Sequence, residues 1–167
     1  MLNIGETVLY GTTGVCLVEG IEKKTLGGEE KSYYVLRPQS LGKCTVFVPT
    51  DNKALLEKVR RVLSREEILN IIDSLPKRED IWVDDDASRR ERFSSILNGG
   101  DRAELMLLIR TLYRREKQRR AEGKRLHIAD ERIMAEAERL LHDEFSAVLG
   151  IKENEVVPFI MNRLEKN

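Results

Sequence analysis

Cysteine and histidine are scarce, with two of each in 167 residues. No C-x-x-C pair occurs, and His127 and His142 stand far apart. Neither a metal centre nor a nucleophile–base pair can be assembled from such a sparse set. Cys16 and Cys44 therefore read as reduced thiols on apolar strands. Aromatic residues make up only 5%, and Trp82 is the single tryptophan. No apolar run reaches the roughly 18 residues that a membrane helix requires. The N-terminus lacks the basic segment and apolar stretch of a secretory signal. A cytoplasmic protein with no membrane contact is expected. No phosphate-cradling glycine loop is present either, so neither catalytic residues nor a cofactor are expected.

Net charge is also absent, since 29 Lys/Arg balance 29 Asp/Glu. That balance is an average over unlike regions. Residues 88–125 hold 12 Lys/Arg against 5 Asp/Glu, a net of +7, while residues 126–167 carry a net of −4. A basic block of this kind points to a polyanionic partner on one face, or to a solvated helical surface. Asp80, Asp84, Asp85 and Asp86 precede the block. Carboxylates are suitable ligands for Mg²⁺, but without a nucleophile–base pair no enzyme is expected.

What is present divides into two halves. Residues 1–63 read as β. Val8-Leu9-Tyr10 and Val15-Cys16-Leu17-Val18 are strand-like, and Ile21 to Leu26 continues extended towards Gly27-Gly28, a hairpin signal. Ser32-Tyr33-Tyr34-Val35-Leu36 and Cys44-Thr45-Val46-Phe47-Val48 complete five short strands. Pro49 ends the last one. A small SH3-like or Tudor-like β-barrel is the expected form. Residues 51–58 suggest a short helical turn, and Val59 to Leu63 an extended link.

Residues 64–167 read as helical. Ser64-Arg65-Glu66-Glu67 fits a capping box ahead of Ile68, Leu69, Ile71, Ile72 and Leu75, with Pro76 as the stop. A second helix is expected over Ser88–Leu97, closed by Asn98-Gly99-Gly100. Asp101 caps a third, running to about Ala121 on the apolar positions Leu105, Leu108, Ile109 and Leu112. A fourth covers Ala129–Leu149, ended by Gly150. A fifth is expected with Asn154 as its cap and Pro158 near its first turn. The fold class is thus α+β, a barrel followed by about five helices.

These residues resemble a known family. Ile4-Gly5-Glu6-Thr7-Val8-Leu9-Tyr10, Gly14, Leu17-Val18-Glu19, Ile21-Glu22, Tyr34-Val35-Leu36 and Val46-Phe47-Val48-Pro49 are similar to the RNA-polymerase-interacting domain of CarD/CdnL regulators and the transcription-repair coupling factor. The helical half resembles the CarD/CdnL C-terminal domain through Ser88-Arg89-Arg90, Gly100-Asp101, Leu108 to Arg115, Ile133-Met134 and Ala137 to Leu141. No motor follows, as one does in the coupling factor, so the small CarD/CdnL type is the match.

The resemblance implies a monomeric adaptor. Its first domain would grip the β subunit of bacterial RNA polymerase. Its second would lie on promoter DNA at the upstream edge of the transcription bubble and stabilise the open state. By resemblance, Lys24, Leu26 and the position of Phe47 fall where the family contacts polymerase; a basic residue often stands in the last slot. Trp82, Arg89, Arg90, Arg92, Arg114, Arg115, Arg119, Arg120, Lys124 and Arg125 are the candidate DNA contacts. The family places its wedging tryptophan directly before the Ser-Arg-Arg element. Here that slot is Ala87, so Trp82 is either a displaced wedge or a packed residue in the seam between the halves. The alternative function is an RNA- or ribosome-associated basic adaptor.

Overall fold

The structure, a computed structural model, describes residues 1–166. The chain divides into two compact units, one ending at Leu63 and the other beginning at Ser64.

The first unit is an antiparallel five-stranded sheet in the order β4-β3-β2-β1-β5. Its strands are β1 (Thr7–Tyr10), β2 (Gly14–Leu26), β3 (Glu29–Pro38), β4 (Val46–Pro49) and β5 (Val59–Arg61). Strands β2 and β3 meet at Gly27-Gly28, whose φ values of 66° and 88° make the turn one that glycine adopts without a Cβ penalty. The runs 15–18 and 21–26, expected as separate strands, are one strand. A register shift between Val18 and Gly20 bends β2 and lets it serve both parts of the sheet. Val59–Arg61, expected as a link, instead pairs with β1. The strand expected from Cys44 begins at Val46.

One face carries the core of Val8, Cys16, Val18, Tyr34, Leu36 and Val48. Leu55 and Leu56 from the short helix α1 (Lys53–Leu56) pack against it. Cys16 is fully buried there and its thiol donates to the Gly14 carbonyl, whereas Cys44 is exposed.

The second unit contains α2 (Arg65–Ser74), α3 (Asp86–Gly99), α4 (Arg102–Ala121), α5 (Ile128–Leu149) and α6 (Glu153–Glu165). A single 3-10 turn, Leu75–Lys77, follows α2 with Pro76 inside it. The capping box at α2 is formed. Glu67 N–H donates to Ser64 Oγ at 3.1 Å, and Ser64 N–H donates to the Glu67 carboxylate at 2.8 Å. Helix α3 starts two residues earlier than the spacing suggests, because Asp85 accepts from the Ser88 N–H at 2.8 Å and caps it. Gly100, with φ 74°, closes α3 in the left-handed conformation.

Helix α6 differs from expectation. Its cap position is Lys152, whose N–H donates to the Glu155 carboxylate at 2.7 Å. Asn154 therefore lies inside the first turn. Pro158 sits beyond it, where the helix forgoes the bond to the Asn154 carbonyl.

Phe93 and Phe145 are fully buried at the centre of this unit, with Ile68, Ile72, Leu108, Leu112 and Val156. Each such side chain contributes roughly 1.5–3 kcal/mol by leaving water. Charged pairs tie the helices together. Arg102 on α4 makes a bidentate contact with the buried Glu144 of α5, at 2.8 and 3.0 Å. Arg163 on α6 does the same with Asp73 of α2, at 2.8 and 2.7 Å. Among the described residues, no helix is long and apolar enough to cross a membrane.

Candidate nucleic-acid interface and docking face

Between the 3-10 turn and α3, residues 78–85 form an irregular strap attached to α4. Its attachment is a ladder of side chains from α4 to the strap. Arg110 donates from Nε to Asp80 Oδ1 at 2.9 Å and also donates to the carbonyls of Leu75 and Arg78. Thr111 Oγ1 accepts from the Ile81 N–H at 3.0 Å. Arg114 Nη1 donates to Asp80 Oδ2 at 2.9 Å. The i, i+4 spacing brings Arg110 and Arg114 onto one carboxylate.

The far end of the strap is held by α3. Arg89 is 3% exposed and lies under the strap. Its Nη1 donates to the carbonyls of Val83 and Asp84 at 3.0 and 3.2 Å, its Nη2 to Asp86 at 2.7 Å, and its Nε to the buried Asp130 at 3.3 Å. Burial alone would lower the guanidinium pKa, but the bonds to Asp130 and Asp86 outweigh it and the pKa is raised. Arg89 is therefore committed inside the fold. Expected as a phosphate contact, it is instead the arginine that fastens the strap to α5.

Trp82 is half-buried on this strap. Its Nε1 donates to Asp84 Oδ1 at 3.0 Å. The guanidinium carbons of Arg89 and Arg115 stand 4.5 and 4.7 Å from its ring centroid, and Phe93 meets it edge-on at 6.4 Å. Each cation–π contact is worth about 0.5–1 kcal/mol at a partly exposed site. Trp82 thus packs within the helical unit, against α3 and α4.

Trp82, Asp84, Asp86, Arg89, Arg115 and Asp130 line a pocket of about 160 Å³, completed by Arg119, Leu126 and His127. The four aspartates that could be imagined around Mg²⁺ have separate duties. Asp80 takes two arginines, Asp84 the indole, Asp85 the helix cap and Asp86 Arg89. The carboxyl groups of Asp80, Asp85 and Asp86 are held below the ordinary range. For Asp80, burial pushes upward, but the bonds from Arg114 and Arg110 outweigh it. For Asp85 the cause is the Ser88 backbone and hydroxyl, and for Asp86 it is Arg89.

The remaining basic residues are spread over α3, the far half of α4 and the loop beyond it. Arg90 and Arg92 are exposed on α3. Arg115, half-buried beside Trp82, also donates to Gln118 at 3.0 Å. Arg119 Nε donates to the Arg125 carbonyl at 2.6 Å, which folds the α4–α5 loop back onto α4. Arg120 pairs with Glu116 at 3.1 Å. Lys124 and Arg125 are exposed on that loop. Arg114, Arg115 and Arg119 thus gather along the strap side of α4. Sequence set Asp80 in the acidic run considered for Mg²⁺ and did not pair it with Arg110 or Thr111. The only signal was the i, i+4 arginine pair, and it does not name its acceptor.

In the first unit the three residues expected at a polymerase contact share one sheet face. Glu22, Lys24 and Leu26 alternate along β2, and Phe47 lies on β4 beyond β3. Lys24 Nζ stands 3.5 Å from the Phe47 ring centroid, and Tyr33 meets that ring edge-on at 6.5 Å. Leu26 is 63% exposed and Phe47 37%. Strand β1 pairs with β2 only from Gly14 to Leu17, so the Gly20–Leu26 half of β2 pairs with β3 alone. Its outer backbone edge is open among the described residues.

Residues 2–63 match the family described as "CarD-like/TRCF RID domain", and residues 70–161 match "CarD, C-terminal domain". The chain belongs to the CarD family. A full-length relative, the "Putative transcription factor YdeB" of Bacillus subtilis (strain 168), is 26% identical over 168 residues. That similarity covers 95% of this CarD-family chain and 99% of the relative. The two matched regions lie within the two compact units, so each half of the molecule carries one family domain.

Proposed function

We propose that this CarD-family protein is a transcription regulator and not an enzyme. It docks on the β subunit of RNA polymerase through its first unit and holds promoter DNA with its second, stabilising the open complex at the upstream bubble edge. The observation that carries the docking half is the open edge of β2 beside the Lys24–Phe47 pair. An unpaired strand edge accepts a partner strand through main-chain bonds, and the flanking side chains supply specificity. Leu26 and Phe47 are the exposed apolar anchors there.

For the DNA half, Arg90, Arg92, Arg114, Arg115, Arg119, Arg120, Lys124 and Arg125 are the phosphate-binding set. Arg89 is excluded by its burial. Contacts of this kind give affinity without sequence reading. Trp82 enters as the residue that positions Arg115; to act as a wedge it would have to leave Asp84 and both guanidinium groups. Tethering to polymerase raises the local concentration of DNA, so weak intrinsic affinity is enough. A contact made only in the open complex and worth about 1.4 kcal/mol shifts the open-to-closed ratio tenfold.

The test is retention on a purified β-subunit fragment together with open-complex lifetime on a promoter. Wild type is expected to be retained and to lengthen the lifetime. A Lys24→Ala, Phe47→Ala double variant is expected to lose retention about tenfold or more with unchanged circular dichroism. Absence of wild-type retention at low salt sinks the reading. Tighter binding to structured RNA than to a promoter fork would replace it with the RNA-adaptor function.

A further inference from the structure

Asp80 sits where a phosphate would be expected. One carboxylate spans two guanidinium groups a helical turn apart, at 2.9 Å from each, which is the way arginine pairs hold phosphate oxygens. The two arginines are not equivalent. The Arg110 side chain is 16% exposed, and its guanidinium is held independently by the carbonyls of Leu75 and Arg78. The Arg114 side chain is 61% exposed, and Asp80 is its acceptor. Arg110 is therefore a fixed post, while Arg114 is accessible to an external anion. Exposed ion pairs of this kind exchange readily with solvent and counterions.

Neither the strap nor Asp80 is used by the docking face. The electrostatic setting agrees with an exchange site. Arg115 and Arg119 lie one and five residues further along the same helix, and the exposed Lys124 and Arg125 follow in the loop. An anion approaching this side meets Arg114, Arg115 and Arg119, with Asp80 the carboxylate bonded to Arg114 and with Asp84 and Asp86 beside Arg115.

We propose that Asp80 is an intramolecular stand-in for a DNA backbone phosphate, occupying Arg114 in the free protein and yielding it when DNA arrives. After the exchange, Asp80 remains bonded to Arg110, so the strap and Trp82 stay in place. The guard holds the affinity of the free protein for bulk DNA below what its arginines could provide. DNA presented at high local concentration on polymerase overcomes it. This rests on the DNA-binding reading above and adds which contact is gated and by what.

The experiment compares full-length wild type, Asp80→Asn, Arg114→Gln and the double variant. Each binds a fluorescent forked duplex, followed by anisotropy from 50 to 200 mM KCl. Asp80→Asn keeps an acceptor for Arg110 and is expected to bind several-fold tighter at 50 mM. Its plot of log affinity against log salt should keep the wild-type slope, because Arg114 meets the phosphate in both complexes. The gain should therefore persist at 200 mM. In the Arg114→Gln background the same change should have no effect.

Unchanged or weaker binding by Asp80→Asn overturns the guard, as does an equal gain when Arg114 is absent. If wild type binds and Asp80→Asn is unaltered, the guard alone is wrong; if neither binds, the DNA-binding reading fails with it. Should Asp80→Asn lose its helical circular dichroism, Arg114→Gln decides. The guard requires it to flatten the wild-type salt slope by about 0.9, and an unchanged slope refutes the exchange.

Discussion

Replacing Arg89 with methionine would test whether the strap is a structural device. The substitution keeps most of the side-chain volume and removes every donor. It takes away the bonds to Val83, Asp84, Asp86 and Asp130 and one of the two cations over Trp82. The dominant loss is at Asp130. That carboxylate is 1% exposed, and its Oδ2 stands 3.2 Å from Arg89 Nη2 with no hydrogen-bond donor of its own. Breaking a buried pair from one side costs about 3–5 kcal/mol, because the remaining charge is left in the interior. The exposed Asp86 adds little. With a urea slope of about 1–3 kcal/mol/M, the unfolding midpoint should fall by more than about 1 M. The assay is urea unfolding followed by far-ultraviolet circular dichroism, which reports the helices. Adding Asp130→Leu to Arg89→Met should recover much of the loss, because a well-packed apolar pair has no desolvation cost. A loss below about 1 kcal/mol for the single variant, or no recovery in the double, would refute a buried structural role for Arg89.

Two smaller expectations follow from the caps and the carboxylates. Ser64→Ala removes one side of the capping box at α2 and should cost about 1 kcal/mol in the same urea titration, while Ser64→Gly should cost only a few tenths; no loss in Ser64→Ala would mean that the hydroxyl is idle. Asp80, Asp85 and Asp86 all have depressed carboxyl pKa values, so their stabilisation is fully present above the unfolded-state value near pH 4 and is lost as pH falls through the folded values. The urea midpoint should therefore drop between about pH 4 and pH 2, and Asp85→Asn should drop less; an identical profile in the two proteins would contradict the assignment.

Much of the fold could be read from local patterns because local physics decides it. The Ser64–Glu67 box, the Gly27-Gly28 turn and the Asp101 cap each involve residues within three positions of one another, and all formed. The helix expected over Ala129–Leu149 likewise formed as α5, with Gly150 at its end. Misreadings arose where a distant partner chose the outcome. Val59–Arg61 had no local reason to be a strand until β1 supplied a ladder. At α6 a competing local contact decided instead: Asn154 was a good cap by type, but the Lys152–Glu155 pair began the helix two residues earlier.

The candidate site shows the same division more sharply. Sequence determined that this chain has a β half and a helical half, where most helices begin, and that positive charge is concentrated over residues 88–125. It could not assign that charge, because an arginine's residue type is the same whether it faces solvent, a phosphate or an aspartate. Tertiary structure made Arg89 a buried rivet between Val83, Asp86 and Asp130, and made Trp82 its packing partner. It also turned Asp80 onto Arg110 and Arg114, thirty and thirty-four residues away. Charge pairing acts through space over a few ångströms, so only the path of the backbone decides which opposite charges meet.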